Sequence, residues 1–252
     1  MPLEVIFQRA YDEEIRVISI TDHDSIDCQE TAEILAYRHG IHYIYGLELN
    51  VSFSNPDYRN SKPISLDFLA YDYEIHHEPL VEKLDELREF RKKRAEQILE
   101  KINRELKGKG LTPFDDHDLA AIEETVDGAF GRPHIANYMV KKGIVSNRQE
   151  AFDHYLVKCN VPKLPLSLKE ASELVRGAKG KLILAHPNDP NGTSLISFTT
   201  SLEEQQKIIR ETMLSYIDGI ECWHSRHDSR TTESYLHFMS EFFRINRDAR
   251  LR

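Results

Sequence analysis

The sequence predicts an α/β fold in which strands alternate with helices, interrupted by a helical region. Three apolar runs, 17–20, 181–185 and 217–220, each stop abruptly in polar residues. Short apolar runs bounded by charge are typical of strands covered on both faces in a parallel sheet. The segments between these runs have helical character, as in α/β folds. Such folds build their sites from side chains at the ends of several strands, so the residues that follow these runs are the first candidates for chemistry.

Periodicity and breaking residues predict the elements of the first part. Pro2 suits the first turn of a helix, whose apolar residues recur at helical spacing up to Ala10. After the strand at 17–20, a second helix is predicted over 25–39 and ends at Gly40. Two further strands are predicted next, at 41–49 and 64–71, and the turn between them at 55–57 is predicted to be exposed.

The alternation gives way to helical periodicity over 79–165, which we interpret as an inserted module. The flanking parts are then 1–78 and 166–252, and the alternation resumes in the second of these. The helices predicted within the module are 79–106, 115–125, one beginning at Pro133, and 149–158. Those predicted after it are a helix capped by Ser167 that runs to 178, then 202–216 and 231–245.

Composition and charge exclude several classes of protein. The chain has 252 residues, a net charge of −9 and Cys28, Cys159 and Cys222 without the spacing of a metal finger. No apolar run approaches the ~18 residues of a membrane span, and the first residues lack the pattern of a signal peptide. We therefore expect a reduced, cytoplasmic protein that contacts no membrane. The acidic balance argues against an extended nucleic-acid surface, although acidic residues can hold metal ions that meet phosphate.

The residues near the strand ends have the chemistry of metal ligands. Imidazole and carboxylate groups occur together there, a mixture that suits manganese, zinc or iron. Clustered metal ions could activate water and neutralise a phosphate under attack. Structurally, each histidine could instead be a hydrogen-bonded structural residue and Glu221 a simple edge carboxylate. Rival chemistries have less support, because no Gly-rich phosphate loop, nucleophile elbow or convincing Cys/His pair occurs. The candidate ligands are Asp22, His23, Glu48, His186 and Glu221.

The basic residues of the module allow two interpretations. Arg91 falls in the apolar stripe of the first helix, where it either extends over the core or binds a substrate phosphate. Arg132 and His134 flank Pro133 where a helix begins. They either bind an anion at that terminus or only start and cap the helix. The basic run 92–94 is interpreted as a solvated face.

Five short motifs resemble those of a known family, and they occur in the same order. They are Thr-Asp-His-Asp at 21–24, Gly-Leu-Glu at 46–48, Gly-Arg-Pro-His-Ile-Ala at 131–136, Ala-His-Pro at 185–187 and Gly-Ile-Glu at 219–221. The pattern resembles the PHP (polymerase and histidinol phosphatase) superfamily, and within it the branch of metal-dependent phosphoesterases that carries a helical insertion. The resemblance spans nearly the whole chain, and the insertion lies where that branch has it.

The resemblance implies a distorted (β/α)7 barrel with a trinuclear metal centre, and hydrolysis of phosphate esters in nucleotides or short oligonucleotides. By motif, His23, Glu48 and His186 would be metal ligands and would act in catalysis through a metal-bound hydroxide that attacks phosphorus. Mn²⁺ would be the metal, with Zn²⁺ or Fe²⁺ as alternatives. The remaining implied roles are phosphate binding by Arg132, His134 and Arg91, and support behind the ligands by Asp22, Glu221 and His224.

Three departures from the family pattern bear on these expectations. The family's first strand carries a His-x-His pair, and this chain starts after it. The family's last strand carries Gly-Ser-Asp-x-His, and this chain stops before it. Asp67 stands where the branch often has a strand histidine. Asp67 could be a metal ligand that retunes the site, or it could accept a hydrogen bond behind the ligands.

The missing ends predict an incomplete barrel. The first and last strands of a closed barrel lie side by side, so their absence would leave two unpaired edges. We therefore interpret the chain as a fragment that binds fewer than three metals and is at best weakly active. A full complement of metal ions would contradict this interpretation. The alternative from a different class is a non-catalytic remnant or a phosphate-binding regulatory module. No oligomeric state follows from the sequence.

Overall fold

The structure, a computed structural model, describes residues 1–125, 130–190 and 192–249, with the side chains of 243–249 left aside. It consists of two compact units, each described by itself. We call Met1–Val81 with Pro165–Arg252 the α/β unit, and Glu82–Leu164 the helical unit. Among the described helices, none is both long enough and apolar enough to span a membrane.

The α/β unit begins with two helices and a pair of short parallel strands. The helices pack through a small apolar core that contains Phe7 and Ala36. Gly40 ends the second helix with φ +67, the left-handed conformation that glycine adopts readily. The elements are α1 (Leu3–Asp12), β1 (Val17–Ile18), α2 (Gln29–Arg38) and β2 (His42–Tyr43).

Strand β1 differs from the strand predicted over 17–20. It has two residues, and Val17 is 52% exposed, so the prediction of a strand covered on both faces is wrong. The reason is pairing: in the described part of the chain, β1 pairs with β2 alone and no strand lies on its other edge. The single strand predicted over 41–49 is likewise two strands, because β2 pairs with β1 whereas its continuation joins another sheet.

The second sheet has four strands in the order β3-β4-β5-β6. Strand β4 runs antiparallel to both of its neighbours, whereas β5 and β6 are parallel. Of the runs expected to form parallel strands, 181–185 and 217–220 do so as β5 and β6, whereas β4 departs from the parallel pattern. The described strands form two separate sheets that do not close, so the incomplete barrel stays a prediction. The strands are β3 (Gly46–Phe53), β4 (Ile64–Tyr71), β5 (Lys181–Leu184) and β6 (Gly219–Ile220).

Three helices complete the α/β unit. Their amphipathic patterns and caps follow the sequence closely: Ser167 Oγ accepts from Glu170 N at 3.2 Å, and Ser201 Oγ accepts from Glu204 N at 3.3 Å. In the turn that was predicted to be exposed, Asn55 is buried, and its side chain accepts a hydrogen bond from Asp57 N. The helices are α7 (Leu168–Gly177), α8 (Leu202–Thr212) and α9 (Ser229–Ala249).

In the part of the helical unit that the structure describes, four helices pack around an apolar core of their own. Ile102, Ile135 and Leu156 are fully buried in this core. Asp115 caps α4 by accepting from Asp118 N at 3.0 Å. The elements are α3 (Glu78–Gly108), which begins in the α/β unit, α4 (Asp116–Glu123), α5 (Arg132–Lys141) and α6 (Arg148–Ala151), which continues as a π-helical turn (Phe152–Leu156). Residues 126–129, just before the predicted motif at 131–136, lie outside the described residues.

Candidate metal centre

The segment after β1 lies against β3 and brings His23 beside Glu48. Asp24 N donates to Glu48 O at 2.8 Å, and Glu48 N donates to Asp22 O at 3.1 Å, which makes an isolated parallel bridge. Gly46 permits this approach, because a Cβ at that position would stand 2.7 Å from the carbonyl oxygen of Ile20. Two strand-end motifs far apart in sequence are thus joined by their backbones.

A compact set of ligand atoms forms at this junction. His23 Nδ1 lies 3.1 Å from Glu48 Oε2. One ligand atom each from His23, Glu48 and Asp67 lie within 4.8 Å of one another, close enough to share one ion. His186 joins them, with its Nε2 at 3.2 Å from Glu48 Oε1 and 3.8 Å from Asp67 Oδ2. Two imidazoles and two carboxylates therefore converge; we call these four residues the cluster.

Asp67 reaches the cluster from the middle of β4 rather than from a strand end. Strand β4 is antiparallel to β5, so the carboxyl ends of these two strands lie at opposite ends of the pair. In the register of β3 and β4, Asp67 pairs with Asn50, whose Nδ2 donates to Asp67 Oδ1 at 2.5 Å. Thr193 Oγ1 donates to the other carboxylate oxygen. The sequence offered one signal for Asn50, since it lies two residues after Glu48 and so on the same face of the strand.

His186 is positioned by the backbone that follows β5. Its N–H donates to Glu221 Oε2 at 2.7 Å, and its φ of +25 is rare for a residue with a side chain. Burial alone would lower the pKa of His186. The hydrogen bond with Glu48 and the charges of Asp67, Glu48 and Glu221 outweigh burial, and the pKa is raised. The neighbouring carboxylates thus favour the positively charged form of this imidazole.

The three residues predicted to support the ligands have distinct contacts. Glu221 holds the backbone N–H of His186, as described above. The ring centre of His224 lies 5.3 Å from that of His186. Burial lowers the pKa of His224, and the neighbouring His186 and His227 lower it further. The charge of Glu221 opposes this shift but does not outweigh it. Asp22 Oδ2 accepts from the thiol of Cys28 at 3.4 Å. Burial first, and then the charge of Asp22, raise the pKa of that thiol to about 12.

The residues present fit a divalent cation. Among the described residues, the ion-pair partners of Glu48 and Asp67 are histidines, and both carboxylates are shielded from solvent, at 15% and 7% side-chain exposure. Carboxylates that are this shielded and this close are costly without a positive charge between them. His186 Nδ1 is buried and has no hydrogen-bond partner in the described structure. A cation beside the carboxylates and His186 Nε2 would supply that positive charge, and the nitrogen and oxygen donors suit manganese, zinc or iron.

The predicted phosphate-binding residues lie in the helical unit. Arg132 is the first residue of α5; its guanidinium carbon lies 5.5 Å from the ring centre of Phe152, and burial lowers its pKa. His134 Nδ1 accepts from Gly131 N at 3.2 Å, so this ring does cap its helix, as the structural interpretation held. Arg91 is half-buried, in line with its place in the apolar stripe of α3.

Arg94 was assigned to a solvated face, and that assignment is wrong. It is 6% exposed, with its Nε donating to Val161 O at 2.6 Å and its Nη2 to Asn160 Oδ1 at 2.7 Å. Burial, and then the charges of Arg132 and Arg91, lower the pKa of Arg94 to about 10. The helical unit thus brings three arginines within electrostatic range of one another. The spacing did contain a signal: Arg94 is three residues after Arg91 and four before buried Ile98, on one helix face.

The chain is similar in sequence to exoribonucleases and to a nucleotide phosphatase. No family model matches the chain. It is 28% identical over 193 residues to a 5′-3′ exoribonuclease of Haemophilus influenzae, a match that covers 74% of this chain and 63% of the relative. It is 24% identical over 193 residues to the 5′-3′ exoribonuclease Rnm of Escherichia coli, covering 75% of the chain and 61% of the relative. It is 27% identical over 198 residues to a 3′,5′-nucleoside bisphosphate phosphatase of Chromobacterium violaceum, covering 74% and 61%.

These matches leave part of each relative uncovered, since the chain spans 61–63% of the length of these curated relatives.

Two solved structures share the fold. A Bifidobacterium adolescentis protein described as a metal-dependent phosphoesterase is 24% identical with a TM-score of 0.73, covering 95% of this chain and 78% of that one. An amidohydrolase from Chromobacterium violaceum is 20% identical with a TM-score of 0.74, covering 96% and 78%. In sequence the chain is thus similar to bacterial nucleases and a nucleotide phosphatase, and in fold to a phosphoesterase and an amidohydrolase, which supports the resemblance to the PHP superfamily.

Proposed function

We propose that the chain belongs to a metal-dependent phosphoesterase that hydrolyses phosphate esters of nucleotides or short oligonucleotides. The observation that carries this proposal is the convergence of His23, Glu48, Asp67 and His186 on one small volume. The relatives that act on RNA ends or on nucleoside bisphosphates support the substrate class. The solved neighbour described as a metal-dependent phosphoesterase supports the general fold.

In this proposal the cluster holds divalent cations, with Mn²⁺ as the metal and Zn²⁺ or Fe²⁺ as alternatives. Bound cations of this kind lower the pKa of water and neutralise charge on a phosphoryl group. Glu48 contacts both histidines and is therefore the central ligand. Glu221 has a positioning role, because its Oε2 accepts from the backbone N–H of His186.

The arginines of the helical unit are proposed to bind the substrate phosphate. Arg132 and Arg91 would supply charge, and His134, whose Nδ1 accepts from Gly131 N, would donate from Nε2 at the start of α5. Burial first, and then the charges of Arg132 and Arg91, lower the pKa of Arg94, and an anion would relieve the part that comes from those charges. Arg94 itself, held by Val161 and Asn160, would position the other two rather than touch the substrate.

The proposed setting is the reduced cytoplasm, which suits three cysteines that form no disulfide. The fragment interpretation and the weak activity expected from it also remain proposals. Metal analysis of the purified chain tests them, and it should find fewer than the three ions that the resemblance implies. A full complement with rapid turnover would contradict both.

The test of the proposed function is a Mn²⁺-dependent hydrolysis assay with a nucleoside 3′,5′-bisphosphate and a short 5′-phosphorylated RNA. Glu48→Gln keeps the shape of the side chain and removes its charge. We expect hydrolysis to fall roughly a thousandfold, since a metal supplies several kcal/mol of charge stabilisation and each ~1.4 kcal/mol is a factor of ten. Manganese bound per chain should fall as well.

The matched control is Glu211→Gln, which removes the same charge from an exposed position on α8. It should change neither bound manganese nor activity. Equal activity of Glu48→Gln and the unmodified chain would overturn the proposal. If the unmodified chain binds nucleotides and manganese but releases no phosphate or nucleotide product, the alternative of a non-catalytic phosphate-binding module is supported instead.

A further inference from the structure

The single tryptophan of the chain lies beside the cluster, on the surface. Trp223 follows Glu221 by two residues, just after β6, and is 70% exposed. Its neighbour Cys222 is buried, so the chain turns the indole outward while anchoring the residue before it. A single exposed apolar side chain is ordinary on a protein surface. Trp223 differs from such a residue because it lines a cavity next to candidate metal ligands, where an aromatic side chain can contact a ligand.

The cavity beside Trp223 has a volume of about 650 Å³, within the range of small-molecule sites. It lies between the loop after β6 and the first turns of α9. Its walls combine an aromatic and an aliphatic side chain with hydroxyl, imidazole and carboxylate groups. The lining residues used below are Trp223, His224, His227, Thr232, Glu233 and Leu236.

The cavity adjoins the cluster through a row of imidazoles. His224 lines the cavity, and its ring lies 5.3 Å from that of His186 and 5.4 Å from that of His227. His227 Nδ1 lies 3.1 Å from Cys222 O, whereas its Nε2 is buried and has no partner in the described structure. The cavity therefore adjoins the cluster through the rings of His224 and His227, while the buried Nε2 of His227 is not exposed to the cavity.

The charge of the cavity argues for a neutral, flat ligand. Its described lining contains one carboxylate, Glu233, and no lysine or arginine. A phosphate would be repelled there, and phosphate recognition ordinarily uses arginine or lysine. A nucleobase has a neutral π-face that stacks on an indole, and amino and imino groups that donate to carboxylate, hydroxyl or imidazole acceptors.

We propose that the cavity is a nucleobase subsite, in which a base of the substrate stacks on Trp223 while the adjoining ester lies at the cluster. The inference rests on the proposed function and adds to it: the substrate is recognised through a base as well as through phosphate. Stacking tolerates any base, so the subsite distinguishes nucleotides from base-free phosphate esters rather than one base from another.

The test uses the fluorescence of Trp223, which is the only indole in the chain. The unmodified protein is titrated with adenosine 5′-monophosphate and, in parallel, with ribose 5-phosphate, which lacks the base. A solution of free tryptophan amide corrects for light absorbed by the base. We expect saturable quenching by the nucleotide and none by the sugar phosphate. Equal quenching by both ligands, or by neither, would overturn the subsite.

Kinetics provide the second measurement. The preference for a nucleoside bisphosphate over a base-free sugar bisphosphate, expressed as a ratio of kcat/KM, should fall about 5- to 150-fold in Trp223→Ala, the range reported by alanine substitution at stacking residues. Trp223→Phe keeps an aromatic face and should retain most of the preference. The control Tyr37→Ala removes another exposed aromatic side chain, on α2 and 86% exposed, and should leave the ratio unchanged.

The two proposals fail separately. Quenching by the nucleotide in a chain that hydrolyses no ester would sustain the subsite and overturn the proposed function. Mn²⁺-dependent hydrolysis without nucleotide quenching, and with an unchanged ratio in Trp223→Ala, would do the reverse. The titration uses the unmodified protein, so misfolding of a variant does not affect it.

Discussion

The two units of the molecule bury polar side chains in opposite ways. In the α/β unit, Glu48 and Asp67 approach each other with histidines as their ion-pair partners. In the helical unit, Arg94 is held by a carbonyl and an amide oxygen, and Asp118 accepts from Tyr138 and Lys142 at 2.7 and 2.8 Å. Complementary polar groups stabilise a fold, whereas crowded like charges cost stability until a cation binds. We therefore expect the cluster to serve a ligand, and the hydrogen bonds of Arg94 and Asp118 to serve folding.

The largest expected effect is on the stability of the helical unit. Arg94→Leu would leave Val161 O and Asn160 Oδ1 without their donor. We expect a loss of about 3 kcal/mol in the free energy of unfolding, because hydrogen bonds to a charged group contribute about 1.5–3 kcal/mol each and relief of repulsion from neighbouring arginines offsets part of the loss. Urea unfolding followed by circular dichroism measures this change.

The matched control is Lys93→Leu, one residue earlier on the exposed side of α3, which should change stability by less than about 0.5 kcal/mol. If both variants unfold at the same urea concentration, Arg94 has no structural role and the contrast between the units is lost.

In the α/β unit, we expect a smaller effect, which falls on metal affinity rather than on stability. Glu221→Gln keeps an acceptor for the His186 N–H and removes a negative charge beside the cluster. Manganese affinity should fall about 10- to 100-fold, the usual effect of changing a group behind a metal ligand. Stability in the presence of a chelator should stay the same or rise, because a negative charge near Glu48 and Asp67 is removed while the hydrogen bond to His186 N is kept.

Isothermal titration calorimetry and thermal unfolding with a chelator measure the two quantities. A marked loss of metal-free stability in Glu221→Gln would mean that this carboxylate serves folding, as Arg94 is expected to do, and would break the comparison.

The smallest predicted effect concerns acid sensitivity of the helical unit. Burial alone would raise the pKa of Asp118, but hydrogen bonds from Lys142, Tyr138 and Asp115 outweigh it and lower the pKa to about 2. A carboxyl whose pKa is lower in the folded state contributes stability above its unfolded pKa of about 4 and loses it as the pH falls towards 2. Asp118→Asn should therefore cost about 1–2 kcal/mol at neutral pH.

Unfolding measured from pH 7 to pH 2 tests this expectation. The stabilities of the original chain and of Asp118→Asn should converge between about pH 4 and pH 2. A constant difference down to pH 2 would show that the hydrogen bonds of Asp118 do not depend on its charge.

Much of the candidate site could be predicted from the sequence because its residues follow apolar runs. His186 comes directly after such a run and His23 comes three residues after another, whereas Glu48 lies within a strand that alternation predicts. Asp67 was considered only through the family resemblance, since nothing local marks a carboxylate in an apolar strand. Its place depends on the register that pairs it with Asn50. Trp223 was not singled out, because exposure and cavities are not properties of a sequence pattern.

The burial of polar residues was harder to predict than the elements that carry them. Arg94 lies in a run of basic residues that normally face solvent, and only the packing of Asn160 and Val161 against α3 explains its burial. Val17 shows the reverse error, because an apolar residue in a short strand is exposed where no strand pairs with its outer edge. Both errors arise because burial depends on neighbours far away in the chain.

The order of helices and strands, their caps and the chemical types available to a site were determined by the sequence itself, since periodicity, capping and side-chain chemistry act over a few neighbouring residues. Tertiary structure decided the antiparallel course of β4, the approach of Asp67 to His186, the burial of Arg94 and the cavity beside Trp223. Each of these depends on the pairing and packing of segments separated by tens to more than a hundred residues, and such contacts leave no mark on any single stretch of sequence.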